Sequence, residues 1–141
     1  MIRGSCLCGG MLFEASGLRS DIAFCHCSLC RKRSGVGSIA TINVDFDKMN
    51  WISGEHLVMV WERHTGSTNA FCRVCGSPAP EPDDAKTFYR IPVGLLDGDP
   101  PLGIVDHIFV GSKAGWEIIA DDAPRYEKME GPRTSPRDKR C

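Results

Sequence analysis

The sequence predicts a mainly β fold, a single zinc-stabilised antiparallel domain with short helical turns, and three observations carry that reading. Short runs rich in β-branched and aromatic residues recur along the chain, glycine and proline punctuate them, and seven of the eight cysteines fall in tight clusters. The runs cover residues 11–15, 36–44, 57–63, 68–71, 88–93 and 107–110. Gly9-Gly10, Ser53-Gly54, Thr65-Gly66-Ser67, Gly76-Ser77-Pro78 and Gly98-Asp99-Pro100-Pro101 lie between them and read as turns. With 15 glycines and 9 prolines, long helices have little room. Two short helical turns are expected, one over 28–34 with Gly35 as its stop and one over 124–129. Glu81-Pro82-Asp83-Asp84 reads as an acidic, solvated loop.

A chain of 141 residues with 42% hydrophobic and 25% charged residues has the make-up of one globular unit rather than a disordered or fibrous chain. The domain is expected over 1–132, followed by a flexible basic tail at 133–141 that has almost no apolar content. Seventeen basic against 18 acidic residues give a formal charge of −1, so no nucleic-acid partner is expected. The longest compact apolar run, Leu57-Val58-Met59-Val60-Trp61, is far short of the ~20 residues that span a bilayer. With no signal-peptide stretch at Met1-Ile2-Arg3-Gly4-Ser5, the expected setting is the cytoplasm, with no membrane partner.

An even number of cysteines raises the possibility of a disulfide framework, but their spacing argues against one. Cys6 and Cys8 form C-x-C, Cys25, Cys27 and Cys30 form C-x-C-x-x-C, and Cys72 and Cys75 form C-x-x-C. Thiols one or two residues apart converge on a metal ion, whereas disulfides join segments at defined Cα separations. Seven thiolates divide into four and three. A structural zinc takes four closed ligands and a catalytic zinc takes three with one open position. The contiguous Cys25, Cys27 and Cys30 make the natural three-ligand unit. Cys6, Cys8, Cys72 and Cys75 then make the closed site, stapling the N-terminus to a distant segment, although spacing alone leaves other pairings open.

Gly4-Ser5-Cys6-Leu7-Cys8-Gly9-Gly10, Cys25-His26-Cys27-Ser28-Leu29-Cys30-Arg31-Lys32, Phe71-Cys72-Arg73-Val74-Cys75-Gly76-Ser77 and His107-Ile108-Phe109-Val110-Gly111-Ser112-Lys113-Ala114-Gly115-Trp116 occur in this order, within a stretch from about Arg3 to Pro132. Together they resemble the glutathione-dependent formaldehyde-activating enzyme family, which includes centromere protein V-like proteins. The resemblance implies a β-tent-like fold, a structural zinc on Cys6, Cys8, Cys72 and Cys75, and a catalytic zinc on Cys25, Cys27 and Cys30. It also implies a carbon–sulfur lyase type of activity, in which a small thiol such as glutathione and a small aldehyde form or release an S-hydroxymethylglutathione-like adduct. Three thiolates leave a zinc site with net charge −1, which weakens its Lewis acidity and favours a soft thiol ligand.

Arg31 and Lys32, with Arg33 beside them, are candidates to meet the carboxylates of such a thiol, against the plainer reading of a solvated helix face. His26, between two ligands, is expected to point away from the metal and hydrogen-bond elsewhere, and His107 to be a structural strand-end residue. Trp51, Trp61 and Trp116 read as packing residues. Two functions follow: a zinc-dependent thiol–aldehyde enzyme, or a zinc-stabilised binding module without catalysis. On either, metal analysis of purified, reduced protein should return two zinc ions per chain; one or none would break the four-plus-three division.

Overall fold

A computed structural model describes residues 1–129 of the chain. The expected tail at 133–141, with Cys141, lies outside the described residues, as does the boundary at 132. Among the described residues, ten strands and one α-helix form a mainly β structure in three sheets. The strands are β1 (Ile2–Ser5), β2 (Leu12–Ala15), β3 (Leu18–Cys25), β4 (Ile39–Asp45) and β5 (Met49–Ser53), then β6 (Val58–Glu62), β7 (Thr68–Cys72), β8 (Glu81–Pro82), β9 (Phe88–Pro92) and β10 (Ile104–Ile108). The helix, α1 (Ser28–Ser34), joins β3 to β4. Among the described residues no helix is long and apolar enough to cross a membrane.

The sheet orders are β1-β2-β5, β10-β3-β4-β9-β8 and β6-β7. Alternating residues of β2 and β4 point inward, and Phe13, Ala15, Ile42 and Val44 meet Ile91 and Leu95 in the main core. Phe13 and Trp51 meet edge to face at 6.0 Å, so Trp51 packs as expected. A smaller second core gathers Cys6, Met11, Ala70, Cys72 and Ala79. Its residues come from the first turn of the chain and from the β6-β7 hairpin, which brings the two distant cysteine pairs together.

Four expectations need correction. The strands are not all antiparallel: β10 runs parallel to β3. A parallel neighbour needs a crossover, and the residues between β9 and β10 supply it. Residues 124–129 form no helix; they run extended beside β10, with a bridge between His107 and Arg125. The exposed edge of β10 decides this, since the His107 N–H donates to the Pro124 carbonyl and the Tyr126 N–H to the His107 carbonyl, both at 2.8 Å. Glu81-Pro82-Asp83-Asp84 is not a solvated loop either. Glu81 and Pro82 pair with Arg90 and Tyr89, and both Glu81 and Asp83 are buried. Burial opposes the charge on Asp83, yet the Phe88 and Thr87 N–H groups and the Thr87 hydroxyl outweigh it and hold its carboxyl below the ordinary value. Trp61 and Trp116 are 59% and 72% exposed, so neither belongs to a core.

At the turn at Gly54 the backbone passes close against that of Gly10 and Met11. The φ of Gly54 is +78°, and a Cβ there would lie 2.1 Å from the Gly10 carbonyl oxygen. Gly94 has ordinary φ and nothing within 4 Å of its would-be Cβ. Gly54→Ala should therefore cost about 2 kcal/mol or more and lower the melting temperature by several degrees. Gly94→Ala should leave it within a degree or two, and thermal denaturation of the two variants checks the contrast.

Candidate metal centre

The two arms of the first cluster are built alike. In the N-terminal arm the Gly9 N–H donates to the Cys6 carbonyl at 2.8 Å, and in the second the Gly76 N–H donates to the Cys72 carbonyl at 2.9 Å. Both glycines have φ near +70° to +75°, the left-handed conformation that lets the chain turn directly after its second cysteine. The Met11 N–H points at Cys6 Sγ (3.2 Å), and Ser77 ties the arms together: its hydroxyl accepts from the Leu7 N–H at 3.0 Å and lies 3.3 Å from Cys75 Sγ. Cys6 Sγ is 3.4 Å from Cys8 Sγ, which is 3.9 Å from Cys72 Sγ.

All four sulfurs lie within 4.8 Å of one another, and none of the described cysteines is in a disulfide. Four sulfurs at ~2.3 Å from one zinc stand about 3.8 Å apart, so the donor set and its spacing fit a tetrahedral zinc. The Ser77 hydroxyl and N–H lower the Cys75 thiol to about 6. The Gly10 N–H favours the Cys8 thiolate, but Cys6 and burial oppose it and push that thiol up to about 11. Thiolates this close repel one another, and a dication removes that repulsion.

The second cluster sits where β3 becomes α1. Cys25 ends β3 and is flanked in register by Ile39 of β4 and Ile108 of β10. Cys27 is the N-cap of α1, its sulfur accepting from the Cys30 N–H at 3.3 Å. Gly35, with φ 74°, closes the helix by donating to the Arg31 carbonyl, so the helix begins and ends where the sequence predicts. The sulfurs of Cys25, Cys27 and Cys30 lie within 4.8 Å of one another, a set that also fits zinc and brings three ligands rather than four.

The basic residues after Cys30 do not form one patch. Lys32 is exposed and lines a groove of about 390 Å³ with Ser28, Leu29, Trp61, Arg63 and Asn69 among its walls. Arg33 also borders it but is committed elsewhere: its guanidinium donates to Asn69 Oδ1 at 3.1 Å and pairs with the buried Glu81 at 3.6 Å. Arg31 is half-buried, and its Nε has no hydrogen-bond partner. The plainer reading of a solvated helix face is thus met by Lys32 alone.

The family model described as glutathione-dependent formaldehyde-activating enzyme matches residues 1–112. The chain belongs to that family. A Rhodobacter sphaeroides protein solved as a structural genomics target shares the fold with a TM-score of 0.58 at 24% identity, over 70% of this chain and 91% of that one. No curated protein matches the chain.

His26 points away from the sulfurs into a buried chain of polar side chains, in line with its expected hydrogen-bonding role. Its Nδ1 donates to Glu117 Oε2 at 2.8 Å, and its Nε2 meets His107 Nδ1 at 2.9 Å. His107 Nε2 in turn donates to Asp121 Oδ2 at 3.0 Å. The Ala123 N–H and the His107 ring hold Asp121 below the ordinary carboxylate value. Glu117 and Asp121 escape a reading of the sequence because they follow His26 by more than 90 residues at no recognisable spacing.

Cys75→Ser should lose one metal and lower the melting temperature sharply or prevent folding, because its cluster joins distant segments. Cys27→Ser should lose one metal with a smaller drop, since its ligands share one turn and serine keeps the N-cap. Metal analysis paired with thermal melts distinguishes the two; equal drops would remove the distinction.

Proposed function

We propose that the chain is a zinc-stabilised domain with a small-thiol site at Cys25, Cys27 and Cys30. The observation that carries this reading is the pairing of a four-sulfur set with a separate three-sulfur set, because only the latter leaves a tetrahedral metal a position for a ligand. A binding module without catalysis requires nothing more, and the two clusters support that reading directly. Family membership favours a further step: a carbon–sulfur lyase-type enzyme that forms or cleaves a thiol–aldehyde adduct, with glutathione and formaldehyde as the model pair.

Zinc at the three-cysteine set would supply Lewis acidity and a preference for soft sulfur ligands. The chain's own residues supply the rest. Cys25, Cys27 and Cys30 would hold the metal at the junction of β3 and α1. Ser28 and Leu29, between two of those cysteines in the chain, form part of the groove wall. Lys32 and Arg63 give that groove cations suited to the carboxylates of a peptide thiol, and the exposed Trp61 gives it an apolar face. Arg31, half-buried on the same helix, is a further cation assigned to this site by the proposal.

Exchange NMR on mixed glutathione and formaldehyde decides between enzyme and binding module, since the spontaneous reaction reaches the same equilibrium and only the rate reports catalysis. Wild-type protein should speed the exchange, Cys27→Ser or zinc removal should abolish the acceleration, and Lys32→Glu should weaken glutathione binding severalfold. Glutathione binding without any acceleration would establish the module instead.

A further inference from the structure

We propose that Glu117, His26, His107 and Asp121 act as one set of positioning residues for the three-cysteine site, so that a segment beyond the family-matched region completes it. The inference rests on the reading of that site as a metal site, and it concerns how the chain holds the ligands rather than which ligand enters.

His26 is the residue between Cys25 and Cys27, and its backbone N–H and both ring nitrogens are all engaged. Its backbone N–H donates to the Ile108 carbonyl at 3.0 Å, and both ring nitrogens are engaged by Glu117 and His107. With backbone and ring both fixed, the flanking cysteines have little freedom to turn their sulfurs. His107 extends the grip upstream: its ring stacks on Phe24, the residue before Cys25, with centroids 5.1 Å apart and planes 17° from parallel.

Glu117 is itself anchored on a third side. Its Oε1 accepts from the Ser38 hydroxyl at 3.0 Å, and its carboxylate fills the space over Gly37, where a Cβ would lie 2.4 Å from Glu117 Cδ. Ser38 leads directly into Ile39, the partner of Cys25 in β4. Asp121 is fixed by the Ala123 N–H at 2.9 Å, and its own carbonyl accepts from Arg125 at 2.7 Å. Residues 113–126 are thus tied both to β10 and to the cluster turn.

A buried set of two imidazoles and two carboxylates is a poor way to gain net stability, because desolvation offsets most of its attraction. Such a set supplies direction, as hydrogen-bonded outer partners do around metal ligands generally. A merely stabilising role and a positioning role therefore predict different outcomes at the two metal sites.

The test is chelator competition on the full-length, zinc-loaded chain, where the four-cysteine zinc serves as an internal reference and Cys27→Ser identifies the release phase of the three-cysteine zinc. Glu117→Ala and Asp121→Ala should weaken the three-cysteine site about tenfold or more while leaving the other unchanged. Glu117→Gln, whose amide oxygen can accept from His26 while its amide nitrogen donates to the Ser38 hydroxyl, should restore affinity to within about threefold of wild type. Cobalt-loaded protein should show the same selectivity, its absorption bands moving in the alanine variants and returning in Glu117→Gln. Should Glu117→Ala fail to fold, Asp121→Ala at the more exposed end of the set makes the same comparison. Unchanged affinity, or equal weakening at both sites, would overturn the inference. A wild-type chain with zinc at the four-cysteine site alone would instead overturn the underlying metal reading, and this inference with it.

Discussion

Four sulfurs drawn together from opposite parts of the chain constrain everything around them. Cys8 and Cys72 stand 64 positions apart, yet their sulfurs are 3.9 Å from each other, and the second core is built on that approach. Holding them there requires two left-handed turns, at Gly9 and Gly76, and a serine hydroxyl that reaches both arms. It also requires the β6-β7 hairpin to lie over the N-terminal turn, which places Trp61, Arg63 and Asn69 opposite α1. The groove is therefore a consequence of the distant cluster.

The second cluster obeys a different logic. Its three cysteines lie within six consecutive residues, so chain closure costs little and local geometry decides whether they converge. That geometry is imposed from three sides. β4 and β10 flank Cys25, α1 starts on the Cys27 sulfur, and the buried His26 pins the residue between them. A site of this kind trades conformational freedom for a fixed ligand direction, whereas the four-sulfur cluster contributes to holding the fold itself.

Charge is handled by pairing rather than by exposure. Glu81 and Asp83 are buried on and beside a short strand, yet one pairs with Arg33 and the other accepts two backbone N–H groups and a hydroxyl. The same economy explains why Arg33 is unavailable to a ligand while Lys32, one position earlier, faces the groove. Adjacent helix residues point about 100° apart, so a run of three cations never forms one face.

The sequence by itself determined the limits of α1, the hairpin strands and the hydrogen-bonding role of His26, and it favoured the four-plus-three grouping of the cysteines that tertiary structure then fixed. Each follows from short-range rules: ligand spacing, the glycine stop at Gly35, and period-two patterning. It missed β1, β3 and β5, and it mistook the segment at 81–84 for a solvated loop. β3 hides because Arg19, Ser20 and Asp21 break its apolar pattern, and its pairing with both β4 and β10 overrides that local preference. Tertiary structure alone decided that β10 runs parallel, that residues 124–129 extend along its edge, and that Glu117 and Asp121 close on two histidines. Those outcomes depend on which backbone groups lack partners once the sheets have formed, and no local pattern in the chain encodes that.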